Sequence, residues 1–281
     1  MSSKQTTVLP KQRGSYQRIS SPGESLPSHR TTGLTVQQMA VLCEKVKEAI
    51  GVWQRPTGRR RCVTVPAAVK VTVMYFKNNL PQEVIGELLG VSQSTVSRLI
   101  ARLEPVIAAV LADYVPPPAQ VLAGRVTLVD GTLTPCWSWK NAPQLYSGKH
   151  HTTGHNHQVV CDLQGQLLHL GDPLPGRTHD TRSIRDSGLL ERLDLPNTIG
   201  DKGYIGTGMH TPQRKPPGQP LHKSVKSYNK DINGLRSAVE RSIAHIKTWR
   251  ILHTDYRRPL STYATAFRAI RALHFFKLSS E

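Results

Sequence analysis

Long apolar runs are absent from this sequence of 281 residues. A helix that crosses a membrane needs about 18 to 20 consecutive apolar residues, and no stretch approaches that length. The N-terminus also lacks the continuous apolar core of a secretory signal peptide. These two absences exclude a membrane-spanning protein and predict a cytoplasmic one without a membrane partner.

Cysteine is scarce and scattered. The four cysteines form no Cys-x-x-Cys pair; they are Cys43, Cys62, Cys136 and Cys161. Their spacing argues against a disulfide framework and against a zinc ribbon, and it fits a protein of a reducing compartment.

Acidic residues are also few, with 19 Asp and Glu against 37 Lys and Arg, which gives a net charge of +18. A charge this positive indicates a polyanionic partner, of which nucleic acid is the commonest, while a membrane surface is the competing explanation. The apolar content of 38% is sufficient for a packed core, and the length predicts two domains or one domain with appendages.

The composition divides the chain into three parts. Residues 1–33 are rich in Ser, Thr, Gln, Pro and Gly and predict a flexible, mildly basic lead. Residues 34–115 carry helical apolar repeats and predict an all-α domain, which ends at the triple proline of residues 116–118. Residues 119–281 form the second predicted domain.

An arginine triplet follows the first predicted helix of the α-domain. In a glycine-containing loop, such a triplet is suited to contact phosphates or to act as a minor-groove arm, although a solvated charge run has the same pattern. These predicted DNA contacts are Arg59, Arg60 and Arg61.

The segment from Leu80 to Arg102 predicts a helix–turn–helix. A short helix ends at Gly90, Ser92 can cap the next helix, and that second helix begins at Gln93. Its exposed face presents side chains that can hydrogen-bond base edges or phosphates. These predicted DNA contacts are Gln93, Ser94, Ser97 and Arg98.

The second domain opens with a β-branched run, Val126 to Val129, that predicts a buried strand ending on Asp130-Gly131. An Asp at that position is a common catalytic or metal-binding carboxylate, but it is also a common turn residue. A second short strand leads to Asp201, which has glycines on both sides. Asp180 precedes a predicted helix, residues 181–193, and is placed to cap it.

Two further strands, residues 155–161 and 166–170, predict a hairpin that turns at Asp162. Four histidines lie in or before the first of them: His150, His151, His155 and His157. Their spacing matches no standard zinc site, so we interpret them as solvated strand residues or DNA contacts.

A late helix, residues 233–247, brings Arg236, Glu240 and Lys247 to roughly one side. Beside them an apolar stripe, Leu235, Val239, Ile243 and Ile246, is expected to face the core. The charged side has two interpretations: ordinary surface charge pairs, or a carboxylate that holds a metal or orients phosphate. Residues 207–230 before this helix predict a loop, and residues 261–277 predict a final helix.

The order of strands and helices predicts an α/β domain with carboxylates at two strand ends and on one late helix. Three carboxylates that converge at one sheet edge can hold two Mg²⁺ ions about 3.5–4 Å apart, as phosphodiester chemistry requires.

These motifs resemble the DDE transposases of bacterial insertion sequences, in the branch related to Harbinger-type nucleases. The late helix matches a Tyr-x2-Arg-x3-Glu-x6-Lys signature except that Asn233 occupies the Tyr position. The other similar stretches are residues 80–103, 126–131, 146–165, 176–180, 200–204 and 214–218.

The resemblance implies an RNase H-like catalytic domain after the helix–turn–helix domain. It implies that Asp130, Asp201 and Glu240 bind two Mg²⁺ ions, with Mn²⁺ as a substitute, and that Arg236 and Lys247 contact DNA phosphates.

The implied reaction is hydrolytic release of the element's 3′ end, followed by attack of that 3′-OH on target DNA. The implied partner is double-stranded DNA, both of the element's ends and of the target. The implied active complex is a homodimer, and its implied location is the bacterial nucleoid in the cytoplasm. A DNA-binding regulator and a nuclease without strand transfer remain as alternatives.

Overall fold

The computed structural model describes residues 28–54, 56–57, 60–137 and 140–279. Most of the predicted lead, residues 1–27, lies outside this range. Its last part is helical rather than flexible, because Ser28–Thr32 forms helix α1 and Thr32 and Leu34 are fully buried. No helix in the described ranges is both long enough and apolar enough to cross a membrane.

The N-terminal part is helical, as predicted. The helices that follow α1 are α2 (Val36–Ile50), α3 (Val65–Asn78), α4 (Gln82–Leu89) and α5 (Gln93–Val110).

The helix–turn–helix forms from the predicted signals. Gly90 ends α4 in the left-handed conformation, and the Ser92 hydroxyl caps α5 by accepting a hydrogen bond from the Thr95 amide. The α5 helix continues through Pro105 to Val110, eight residues beyond the predicted end. Leu103 and Ile107 are fully buried on either side of the proline, and this packing offsets the hydrogen bond that it removes.

A six-stranded sheet forms the centre of the C-terminal part. Its elements are β1 (Thr127–Pro135), β2 (Tyr146–Ser147), β3 (Thr152–Cys161), β4 (Leu167–Leu170), β5 (Leu174–Pro175) and β6 (Thr198–Ile199). The path is β2-β3-β1-β6, with β4 and β5 also paired to β3. The β1 strand is antiparallel to β3 and parallel to β6.

The expectation that the first strand ends at Asp130 is wrong. The β1 strand continues to Pro135, and Asp130 pairs with Val159 in its middle. The buried side chains of Thr132 and Thr134 keep this half of the strand against β3. The predicted hairpin is confirmed, and the Asp162 carboxylate accepts hydrogen bonds from the amides of Gln164 and Gln166 in its turn.

Helices cover both faces of the sheet. They are α6 (Pro118–Leu122), α7 (Asp180–Asp186), α8 (Lys223–Lys247) and α9 (Tyr263–Leu278). The α7 helix is shorter than predicted, because Gly188 leaves the helix with a positive φ.

The α8 helix begins at Lys223, within the segment predicted as a loop. Its first two turns are mostly exposed, but Val225 and Tyr228 continue the apolar stripe to buried Ile232 at steps of three and four, a period that the loop prediction overlooked. The predicted apolar stripe is correct at Val239 and Ile246, which are buried, but Leu235 is 42% exposed.

One hydrophobic core runs across the predicted domain boundary. The α9 helix, from the end of the chain, packs along α5, and buried residues of both belong to the cluster that also contains Val159 of β3. The opposite face of the sheet carries a smaller cluster in which Val129 and Val160 contact residues of α7. The sheet is therefore sandwiched, and one side of the sandwich is continuous with the helical domain.

Candidate active site and nucleic-acid interface

Strand register places Asp130 beside Asp201. Leu128 of β1 pairs with Ile199 of β6, and the two strands are parallel, so the residues two positions further on are neighbours at the same level of the sheet. Asp201 lies two residues beyond the end of β6 and caps a 3₁₀ turn, in which its Oδ1 accepts a hydrogen bond from the Gly203 amide at 2.7 Å.

The Asp130 carboxyl is mostly buried. Burial raises the pKa of Asp130, the positive charge of Arg236 opposes this rise, and the negative charge of Asp201 adds to it. The Asp130 Oδ1 atom also accepts a hydrogen bond from the Gly131 amide at 2.8 Å. Two acidic groups thus share a partly desolvated edge, where a cation lowers their mutual repulsion.

Arg236 supplies one such cation. Its Nη2 atom lies 3.1 Å from Asp130 Oδ2, and the two side chains are only 20% and 13% exposed. The sequence placed Arg236 against DNA phosphates, whereas the structure pairs it with a predicted catalytic carboxylate.

Glu240 is not brought into contact with the two aspartates. It lies one helical turn beyond Arg236 on α8, on the same side of the helix, and its side chain is exposed. Among the described residues, no three His, Cys, Asp or Glu side chains are grouped closely enough to hold a metal ion. Lys247, further along α8, is half-buried and lines a cleft with Gly131 and His150, and burial lowers the pKa of its ammonium.

Asp180 is a further carboxylate near this edge, and the sequence interpretation gave it another role. It was expected to cap the following helix, but His179 occupies the N-cap position and Asp180 is already the first residue of α7. Its Oδ2 atom instead lies 3.0 Å from Lys149 Nζ. The sequence did contain a signal, since Asp180 ends one of the stretches that resemble the transposases.

Lys149 is the second cation at this edge. Its partial burial would lower the pKa of the ammonium, but the bond to Asp180 and the charges of Asp180, Asp201 and Asp130 raise it. Two protein cations, Arg236 and Lys149, thus lie beside these carboxylates. A metal cation would be attracted to the same negative charge. Carboxylate oxygens are the ligands that hard divalent ions prefer, so the donor chemistry fits such an ion.

The second helix of the helix–turn–helix presents its predicted polar face to solvent. Gln93, Ser94 and Arg98 are exposed and Ser97 is partly exposed, while Val96 is fully buried on the opposite side. Gln93 Nε2 donates to Gln82 Oε1 at 2.7 Å, which links the two helices of the motif.

The arginine triplet borders this face. Arg59 lies outside the described residues, whereas Arg60 is exposed and Arg61 partly so. The guanidinium groups of Arg61 and of Arg102 on α5 each lie 4.9 Å from the ring centre of Trp53, which holds the loop against α5. The lining of a single surface cavity includes Arg60, Arg61, Ser92 and Arg98.

The histidines of β3 do not behave as predicted. His157 is fully buried and bonds to the Gly171 carbonyl and the Tyr263 hydroxyl, and burial lowers its pKa to about 3. His155 stacks on Tyr263, with its pKa lowered to about 4 by burial. The interpretation of these two residues as solvated or DNA-contacting is therefore wrong; His150 and His151 are exposed.

A helix–turn–helix followed by a mixed sheet, with one Asp on β1 and another just beyond the parallel strand β6, is the arrangement of DNA-acting enzymes with an RNase H-like domain. Residues 129–274 match the sequence model of the family described as DDE superfamily endonuclease, and residues 69–113 match that of the helix-turn-helix of DDE superfamily endonuclease. The chain belongs to the DDE superfamily endonucleases. Members of this superfamily use divalent metal ions.

Three relatives illustrate the similarity. A Streptomyces albus G protein named as a transposase for insertion sequence element IS112 is 34% identical over 180 residues, 63% of this chain and 67% of its own length. A Microchaete diplosiphon protein named as a transposase for element IS702 is 28% identical over 262 residues, 89% of this chain and 94% of its own. A Rattus norvegicus protein named as the nuclease HARBI1 is 22% identical over 210 residues, 67% of this chain and 59% of its own.

No solved structure matches the chain. The family assignment and the RNase H-like fold after a helix–turn–helix, both expected from the sequence, are confirmed by these matches. The helix–turn–helix match also supports DNA as the partner.

Proposed function

We propose that this chain is the transposase of an insertion sequence. In this proposal, α4 and α5 bind double-stranded DNA at the ends of the element, and the RNase H-like domain cleaves that DNA. The released 3′-OH then attacks a phosphodiester of target DNA, which joins the element to one side of the broken target bond and leaves a 3′-OH on the other. The observation that carries the proposal is the β1–β6 register, which sets Asp130 and Asp201 side by side in a chain whose relatives are named as insertion-sequence transposases.

The residues proposed to hold two Mg²⁺ ions, or Mn²⁺ as a substitute, are Asp130, Asp201 and Glu240. Bound metal would supply activation of the attacking oxygen and stabilisation of the leaving oxygen. Glu240 would complete the set from α8, one turn beyond the arginine that neutralises Asp130. Lys247 lines the cleft beside β1, where a half-buried ammonium can orient a DNA phosphate.

The proposal also covers the oligomeric state of the protein and its location in the cell. Because an element has two ends, we propose a homodimer in the active complex. We place its action on DNA in the bacterial nucleoid, in the cytoplasm.

The test of the proposed triad is a set of isosteric variants, Asp130→Asn, Asp201→Asn and Glu240→Gln. Each keeps the size of its side chain and removes one negative charge. Each should reduce Mg²⁺-dependent cleavage of DNA carrying the element's ends by several orders of magnitude, since a two-metal site with one ligand missing loses its geometry. The losses should not add, because the residues act as one unit. Binding of end DNA, measured by fluorescence anisotropy, should persist.

Asp162→Asn is the matched control, because Asp162 only orders the β3–β4 turn, and it should cut normally. A Glu240→Gln protein that also cuts normally would remove Glu240 from the triad. Cleavage without joined products would indicate a nuclease that lacks strand transfer, and binding of end DNA without any cleavage by the unmodified chain would indicate a regulator.

A further inference from the structure

The carboxylate of Asp180 fills space that two glycines leave open. A Cβ placed on Gly131, next to Asp130, would lie 2.6 Å from Asp180 Oδ1. A Cβ placed on Gly203, two residues after Asp201, would lie 2.8 Å from Asp180 Oδ2. A side chain at Gly131 or Gly203 would displace the Asp180 carboxylate. The glycines that follow Asp130 and Asp201 therefore make room for Asp180.

The same geometry brings Asp180 close to Asp201. The Oδ1 atom of Asp201 lies at the same 2.8 Å from the Cβ position of Gly203, so the two carboxylate oxygens are separated by at most twice that distance. Two ionised carboxylates at this separation repel each other unless a cation lies near them. Lys149 provides it, through an ammonium 3.0 Å from Asp180.

A purely structural role explains this arrangement poorly. Asp180 makes no capping bond in α7, and the Lys149 side chain is 57% exposed while that of Asp180 is 10% exposed. An ion pair with so exposed a partner contributes little to stability. The Asp180 carboxylate is nevertheless held largely buried and close to that of Asp201. Binding of a cation between them would explain this placement.

We propose that Asp180 is a further metal-ligating carboxylate, which shares a divalent ion with Asp201, and that Lys149 is the counter-ion which this metal displaces. This inference rests on the proposed metal-dependent function and adds to it one ligand and one competing cation. Lys149, once released, is free to contact the phosphate of the bound DNA.

Metal binding without DNA tests this directly. The full-length protein is titrated with Mn²⁺, and free Mn²⁺ is followed by electron paramagnetic resonance. Asp180→Asn should weaken Mn²⁺ binding by about tenfold or more, because even the loss of a residue that only supports a ligand costs about that much. Lys149→Gln should tighten it severalfold, because it removes a competing charge, and Asp162→Asn should leave it unchanged.

The two variants are expected to change Mn²⁺ affinity in opposite directions, and this distinguishes a metal ligand and its counter-ion from a purely structural ion pair. If Lys149 and Asp180 only held the loop in place, both variants would change Mn²⁺ affinity in the same direction or not at all, and either result would overturn the proposal. Thermal unfolding in chelator verifies that each variant is folded, and Asp180→Glu provides a second variant that keeps the charge and should recover part of the affinity.

The outcomes also separate this inference from the proposed function. If Asp201→Asn loses Mn²⁺ while Asp180→Asn binds it as the unmodified protein does, Asp180 is not a ligand and the proposed function stands. If the unmodified protein neither binds Mn²⁺ nor cleaves DNA, both proposals fall.

Discussion

At the scale of single residues, the absence of a side chain at Gly203 allows the carboxylates of Asp180 and Asp201 to occupy their positions. A methyl group there would meet Asp180 Oδ2 and Asp201 Oδ1, both at 2.8 Å, so at least one carboxylate must move. We expect Gly203→Ala to lower the rate of Mg²⁺-dependent cleavage by about a hundredfold, the typical effect of displacing a catalytic group by about 1 Å. The measurement is single-turnover cleavage, with DNA binding unchanged.

Gly148→Ala is the control for this prediction. Gly148 lines the same cleft as Asp180, but a Cβ there meets nothing within 4 Å, so cleavage should be preserved. Equal rates for Gly203→Ala and the unmodified protein would mean that the carboxylate positions do not matter for the chemistry.

The residue scale also shows what the sequence could and could not predict. The proximity of Asp130 and Asp201 could be predicted because each comes after a short apolar run that predicts a strand, and the β1–β6 register brings the two positions together. Asp180 was misassigned, since an Asp before a helix has the same local pattern whether it caps the helix or turns toward a neighbouring site. Only the packing of α7 against β3, which brings Asp180 up to Gly131 of β1 from a position distant in sequence, distinguishes these cases.

At the scale of elements, the helix–turn–helix and the arginine loop form one basic surface. Its members differ in geometry, and we expect them to differ in role. Arg98 lies on the exposed face of α5, which we propose reads base edges, while Arg60 lies in the loop held by Trp53. Arg98→Ala should weaken binding to the element's end by about 1–3 kcal/mol and binding to random DNA much less.

Arg60→Ala should weaken binding to both DNAs alike and reduce the slope of log affinity against log salt by about 1, as the loss of one phosphate contact does. Anisotropy titrations over a range of salt measure both effects. Arg182→Ala, an exposed arginine on α7, is the matched control. If Arg98→Ala and Arg60→Ala lose affinity identically on both DNAs, then α5 is not the reading helix.

Element boundaries were predictable where caps and glycines set them, as at Gly90 and Ser92. They were not predictable where tertiary packing overrides local signals. The α5 helix passes through Pro105 because the buried residues on both sides keep it in place. The α8 helix begins ten residues before its predicted start at residue 233. A period was present there, at Val225, Tyr228 and Ile232, but the proline-rich, basic stretch before it made the whole segment resemble a loop.

At the scale of the whole molecule, the buried pair of Glu104 and Arg258 links the helical domain to the end of the catalytic domain. Arg258 Nη1 donates to Glu104 Oε2 and Nη2 donates to Glu104 Oε1, the latter at 3.1 Å. The two side chains are 4% and 8% exposed. Together with α9 packed along α5, this bidentate pair connects the helical part to the C-terminal part of the chain.

We expect the pair to be costly to break but not costly to replace. Arg258→Met leaves the Glu104 carboxylate buried without its partner and should lower the free energy of unfolding by about 3–5 kcal/mol, as uncompensated buried charges do. The double variant Glu104→Leu with Arg258→Met removes both charges, so its stability should be restored to near that of the unmodified protein or above it. Removing the exposed Arg182–Asp186 pair by Arg182→Ala should change stability by less than about 0.5 kcal/mol.

Urea denaturation followed by circular dichroism gives these values, and because the core is continuous we expect a single transition in every case. A small loss in Arg258→Met, or a separate early transition of the helical domain, would show that the two parts are held together only loosely, and that DNA binding by α5 and chemistry at Asp130 are mechanically independent.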